Sequence, residues 1–297
     1  MLNNTADVLD IVGNNLDHLP GHTFDVLSLS KPKDIQEAIN LSKIISKLSP
    51  LVGNLIEYRM VDFFNSIKEL SGIGKWKRQD PGFPDTIFES TITPNPGFEI
   101  KAWFPLATEI TARFKDSQNF FFADQTNVLL IAWLPEHVLF GCPKVLGVCN
   151  IAGKSIAIAR DTHYHNPPDY LVLEPEDTST RTSNLQQTNT NGFKFQGNQT
   201  DLQKAEAYLQ KIDGFSSVYE PTPEYQAKIR SLFERFKYRL DTNYAKIDRI
   251  EHEQIESFKT QILDLEFNGL PIKDWAKIIT SEDEALQVDT FKKYLKI

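Results

Sequence analysis

The sequence predicts an α/β fold: a mixed central sheet flanked by helices, followed by a helical C-terminal lobe. Three observations predict it. Apolar residues recur at helical spacing through most of residues 30–70. Two β-prone runs then flank a Pro94-Asn95-Pro96-Gly97 turn, and a near-continuous apolar run follows at Thr126–Leu134. From Asp201 onward the apolar positions return to helical spacing almost to the last residue.

Thr5–Leu16 has the pattern of a short amphipathic helix, and Leu19-Pro20-Gly21 that of a turn. A helix is expected from Ser30 to Pro50, with Pro32 near its first turn and Ile35, Ala38, Ile39, Leu41, Ile44 and Ile45 as its stripe. A second runs from Leu51 to Leu70. Ser71 to Gly82 reads as a glycine-bounded loop holding Trp76 and three cations. Thr86-Ile87-Phe88 and Phe98–Phe104 suit two adjacent strands. Pro105 signals a helix over Ala107–Asp116. Thr126–Leu134 has the pattern of a strand buried on both faces, with Lys144–Ile151 and Ser155–Ala159 as further strands.

Glu176–Thr200 is packed with Thr, Ser, Asn and Gln, and marks the expected boundary between a core at 1–200 and a helical region at 201–297. Phe193-Lys194-Phe195 would anchor that polar segment to the fold. Behind it, Asp201–Ile212, Pro223–Leu240 and Tyr244–Leu265 read as helices, and Ile272–Ile297 as two short ones. They would pack on the core or on a partner subunit.

A formal charge of -8 over 297 residues argues against a nonspecific DNA coat protein. A polyanionic partner would need a local basic surface and a divalent ion to offset the carboxylates. Cys142 and Cys149 form no CxxC pair, so neither a zinc knuckle nor a disulfide framework is indicated. The apolar runs are too short to span a bilayer, and Met1-Leu2-Asn3-Asn4 lacks the start of a signal peptide. The expected setting is a reducing cytoplasm, with no membrane partner.

The chemistry concentrates around the Pro94–Gly97 turn. Asp85 opens the first strand, and Glu99 and Lys101 lie on the second. Strand side chains alternate, so Glu99 and Lys101 share one face while Phe98, Ile100 and Ala102 take the other. Carboxylate oxygens with water and phosphate are the ligand set of Mg²⁺, and a neighbouring lysine can position or deprotonate a water.

Pro84-Asp85 followed across a hairpin by Glu99-Ile100-Lys101 resembles the signature of the PD-(D/E)xK nucleases, best known from type II restriction endonucleases. The resemblance implies a restriction-endonuclease-like core and Mg²⁺-dependent cleavage of double-stranded DNA that leaves 5′-phosphates. It implies that Asp85, Glu99 and the main-chain oxygen of Ile100 hold the ion, and that Lys101 orients the attacking water. It also implies a homodimer on a palindromic site. Gly53-x-x-x-Glu57 is similar to the family's helical element ahead of the Pro-Asp, which implies a place for Glu57 in the metal cluster. Glu57 as a solvated helix residue is the alternative.

Lys75, Lys77 and Arg78 are expected to contact phosphates, or else to form a solvated basic loop. Arg181, Asn184, Gln186, Gln187, Asn189 and Asn191 carry the groups that read bases: amides for adenine, guanidinium for guanine. A polar linker is the competing reading of that segment. Asp161-Thr162-His163-Tyr164-His165 on a strand would offer either a transition-metal site or a surface or DNA-facing pair. Two further functions stay open: a repair or junction-resolving nuclease of the same fold, and a non-catalytic binding module in which Asp85, Glu99 and Lys101 form only a salt bridge.

Overall fold

The computed structural model describes residues 4–79, 82–106, 124–164, 172–173, 193–195, 199–211, 223–236, 238–240 and 252–297. Its contacts divide the chain into two units, residues 1–112, 117–157 and 247–297 in the first and 113–116 and 158–246 in the second.

The first unit is built on a five-stranded mixed sheet in the order β1-β2-β3-β4-β5. Its strands are β1 Gly74–Arg78, β2 Thr86–Ser90, β3 Gly97–Trp103, β4 Thr126–Pro135 and β5 Pro143–Ala152. All neighbours are antiparallel except β3 and β4. That parallel pair needs a crossover, supplied by residues 104–125. The expected Ala107–Asp116 helix falls within it and lies outside the described residues. β4 is buried on both faces, as its unbroken apolar run predicts.

Helix α1 (Thr5–Leu16) is capped by Asn4 and buries Val8, Leu9, Val12 and Leu16. Its Thr5 hydroxyl donates to the Pro94 carbonyl and ties down the turn between β2 and β3. Helix α2 covers Ile35–Ile44 rather than the whole of Ser30–Pro50. The Asp34 side chain accepts the Glu37 N–H and starts the helix there, so Pro32 stays outside it. A tight turn at Ile45–Leu48 separates α2 from α3 (Ser49–Asn65). α3 packs on β1 and β3. Phe64 meets Trp76 and Phe98 with ring centroids 5.1 and 5.0 Å apart, and Trp76 meets Phe88 at 5.1 Å, so one aromatic cluster joins helix and three strands.

The expected loop at Ser71–Gly82 contains β1. Trp76 is the reason: burying its indole against Phe64 and Phe88 outweighs the flanking charges, which point outward at Lys75 and Lys77. Gly74 fits where no side chain does, since a Cβ there would stand 2.5 Å from the Glu89 carbonyl oxygen. β1 is an edge strand, and Asn65 covers its outer side. The Asn65 carboxamide accepts the Trp76 N–H at 2.9 Å and donates to the Trp76 carbonyl at 3.0 Å, as a paired strand would. Asn65→Ala strands both groups beside a buried Trp. The expected loss is about 1–2 kcal/mol, read as a lower urea midpoint with an unchanged slope.

The other edge, β5, is covered by residues 21–29. Gly21 donates to Val145, Val145 to His22, and Phe24 to Pro143, each at 2.8 Å. The expected strand at Ser155–Ala159 is instead part of helix α4, Gly153–Tyr164. Ile156 and Ala157 are buried while Ile158 is 49% exposed, a helical pattern that a short apolar run does not distinguish from a strand. His163 therefore sits on a helix, and His165 lies outside the described residues, so the expected His-x-His strand does not form.

The second unit contains a three-stranded antiparallel sheet of β6 Val172–Leu173, β7 Phe193–Phe195 and β8 Tyr238–Leu240. Helices α5 (Gln199–Leu209) and α6 (Pro223–Arg235) accompany it. The expected Pro223–Leu240 helix thus stops at Arg235, and its tail becomes β8.

The C-terminal stretch belongs to the first unit. The division falls at 157/158 and 246/247, not at residue 200. Helix α7 covers Glu253–Asp264 only, and packs on β5. A hairpin of β9 Glu266–Phe267 and β10 Leu270–Pro271 turns through Asn268-Gly269, both at positive φ. Helices α8 (Ile272–Thr280) and α9 (Glu284–Thr290) pack on α2. Gln287, 1% exposed, donates to the Ile278 and Ser281 carbonyls and closes the end of α8. No described helix is long and apolar enough to cross a membrane.

Candidate functional site

Strand register brings the predicted residues together. Thr86 pairs with Phe98, so one step outward Asp85 stands opposite Glu99. Residues directly opposite project to the same face, and Lys101, two residues on, joins them. Phe98 and Ile100, fully buried, take the other face, where α3 lies. Gly53 of α3 faces Ala102, where a methyl would make only ordinary contact with the Ala102 Cβ at 3.5 Å. Gly97, by contrast, is required: a Cβ there would stand 2.5 Å from the Pro84 ring.

The Lys101 ammonium bridges the two carboxylates, 2.6 Å from Glu99 Oε1 and 3.2 Å from Asp85 Oδ2. The Ile100 N–H donates to Asp85 Oδ2 at 2.7 Å, and the Asp85 N–H to Glu99 Oε2 at 3.2 Å. All three side chains are recessed, at 25%, 14% and 20% exposure for Asp85, Glu99 and Lys101. In a strand the N–H and C=O of one residue point the same way, so the Ile100 carbonyl also faces the side where Asp85 lies.

Three carboxylates share one ammonium here. The Glu57 carboxyl is raised to about 7: burial is the main cause, Lys101 opposes it, the charges of Asp85 and Glu99 add to it, and Arg78 pulls down. Burial likewise raises Glu99, with Lys101 opposing and Asp85 adding. Burial works against the charge on Lys101, yet Glu99, Asp85 and Glu57 together outweigh it and its pKa lies above the usual value. The site carries excess negative charge in a poorly solvated place, which a divalent cation would offset.

The donors are oxygens only: two carboxylates and a main-chain carbonyl. That set fits Mg²⁺, which keeps several waters, better than zinc, which favours nitrogen and sulfur. Among the described residues no three His, Cys, Asp or Glu side chains converge as a complete protein cage would require. Glu57 is within electrostatic range of the Asp85–Glu99 pair without closing such a cage.

The register also sorts the basic residues. Lys75 stands opposite Glu89 and Lys77 opposite Ile87, which puts both on the same face as Asp85 and Glu99. Lys77 is ion-paired with Glu89. Arg78 shares the face of Trp76, on the α3 side. Arg181, Asn184, Gln186, Gln187, Asn189 and Asn191 lie outside the described residues. Sequence reasoning passed over Gln79, which directly follows β1. Its N–H donates to the Asp85 carbonyl at 2.8 Å and its side chain to the Pro84 carbonyl at 2.9 Å. No family model matches the chain, and comparison with curated proteins and with solved structures finds no match.

Proposed function

We propose that this chain is a Mg²⁺-dependent nuclease that cuts double-stranded DNA at defined sequences, as type II restriction endonucleases do, and acts as a homodimer. The observation that carries the reading is the meeting of Asp85, Glu99 and Lys101 on one sheet face through strand register. Asp85, Glu99 and the Ile100 carbonyl would hold the ion, with Glu57 as an outer acidic group. When bound, Mg²⁺ polarises a phosphoryl oxygen and lowers the pKa of a water. Lys101 orients the attacking water and offsets the charge that develops on the phosphorus oxygens. The Ile100 N–H holds the Asp85 carboxylate in place throughout. Lys75 and Lys77, on the same face, would contact the duplex backbone. The test is purified protein with unmodified phage DNA and Mg²⁺ on a gel: discrete bands support the proposal, and intact DNA removes it.

One observation favours a second reading, a non-catalytic binding module. Lys101 already spans both carboxylates, which is a complete salt bridge without any ion. Calorimetry separates the two. The nuclease is expected to take up Mg²⁺ or Mn²⁺ in the absence of DNA, and more tightly as pH rises through about 7, where Glu57 ionises. The binding module predicts no heat of metal binding at any pH.

A further inference from the structure

We propose that Gln79 is a positioning residue that sets the direction of the Asp85 carboxylate; this rests on the reading of Asp85 as a cation ligand. Continuing the β1–β2 register by one step places Gln79 directly opposite Asp85, so Gln79, Asp85 and Glu99 form one row across three chain segments. Within that row every backbone polar atom of Asp85 is held. Its carbonyl accepts the Gln79 N–H at 2.8 Å, and its N–H donates to Glu99 Oε2 at 3.2 Å. The carbonyl before it, on Pro84, accepts the Gln79 Nε2 at 2.9 Å. Gln79 therefore grips the peptides on both sides of the Asp85 Cα. With both peptide planes fixed, the side chain is aimed where Oδ2 meets the Ile100 N–H at 2.7 Å.

The residue type suits the task. Gln79 follows Lys77 and Arg78, yet it donates through a neutral amide and adds no positive charge beside a cation site. The chain folds tightly over it: a Cβ on Gly82 would stand 2.7 Å from the Gln79 Cβ. A group held within a fraction of an ångström needs such supporting hydrogen bonds, because a loosely aimed ligand binds its ion weakly.

The test uses two variants of the full chain. Gln79→Met keeps the length and removes the donor; Gln79→Lys, one methylene longer and cationic, restores a donor, and its charge is immaterial to an exchange rate read without metal. The main readout is hydrogen exchange at the Ile100 amide without metal, a group that Gln79 does not touch. In Gln79→Met that amide is expected to exchange about fivefold faster, the effect of one lost hydrogen bond. The Leu130 amide on β4 stays at its wild-type rate, and Gln79→Lys returns Ile100 to protection. Calorimetry of Gln79→Met is expected to show Mg²⁺ binding weakened by a similar factor. Unchanged exchange at Ile100 overturns the proposal. So does equal acceleration at Ile100 and Leu130, which marks a general loss of stability. If the wild-type chain takes up no Mg²⁺, the cation reading falls by itself, and exchange at Ile100 still decides what Gln79 does.

Discussion

Asp85→Ala is expected to retain duplex binding and to lose Mg²⁺-dependent cleavage by about a thousandfold or more. Asp85 is the point where three supports meet. Its Oδ2 accepts both the Ile100 N–H and the Lys101 ammonium, and its own N–H fixes Glu99. Truncation removes one of the two carboxylates that the proposed ion would need and releases Lys101 toward Glu99 alone. It also leaves the Ile100 N–H without its partner, a cost of about 1–3 kcal/mol to folding. The variant must therefore be shown folded by circular dichroism before its activity is read. Asp85→Asn separates charge from shape, since it keeps an oxygen acceptor for Ile100 while removing the negative charge. It should fold like the wild type and cleave as poorly as Asp85→Ala. Lys101→Met gives the opposing signature. Without the ammonium between the carboxylates, Mg²⁺ uptake is retained or tightened, while turnover falls for want of the group that positions water. Wild-type cleavage by the Asp85 variants removes the assignment of this site.

The pairing of Asp85 with Glu99 was legible in the sequence because it depends on local features: a turn at Pro94–Gly97, strand alternation, and Pro-Asp ahead of Glu-x-Lys. β4 was legible for a similar reason, since a strand buried without a break from Val128 to Pro135 has no room for a polar face. β1 was not. Lys-Trp-Lys-Arg between glycines has the composition of a loop, and only the aromatic cluster that receives Trp76 turns it into a strand. Asn65 and Gln79 were invisible because each acts on backbone atoms of a residue brought near by register, and no residue pattern announces that. Ser155–Ala159 failed differently. Ile156 and Ala157 are buried in a helix just as they would be in a strand, and five residues hold too little periodicity to choose. The end of α2's preceding segment was readable but unread: Asp34 three residues before Glu37 is a capping signal that outranks the proline at Pro32. The C-terminal helices were recognised as helices, but their return to the first unit depends on the face of α2 that receives α8 and α9.

Glu57→Gln is expected to stabilise the protein at alkaline pH and to leave it nearly unchanged below pH 4.5. The Glu57 carboxyl is raised from 4.5 to about 7, first by burial and then by the charges of Asp85 and Glu99. Between those values the folded chain holds a proton that the unfolded chain has released. Stability therefore falls as pH climbs from 4.5 through about 7, by about 3 kcal/mol for this group alone. Glutamine keeps the shape and cannot ionise, so that share of the decline disappears. Glu99 is raised in the same direction, and some decline persists in the variant. Urea unfolding of both proteins at a series of pH values measures the difference directly. Parallel curves for wild type and Glu57→Gln would show that Glu57 ionises as freely in the folded chain as in the unfolded one. Added Mg²⁺ supplies the decisive contrast. A cation held by Asp85 and Glu99 offsets the charge that repels ionised Glu57, so the ion should shrink the wild-type decline between pH 4.5 and about 7 and change the glutamine variant less. An equal upward shift of both curves would mean that Glu57 does not sense the ion, and would leave Asp85 and Glu99 as the only carboxylates in its reach.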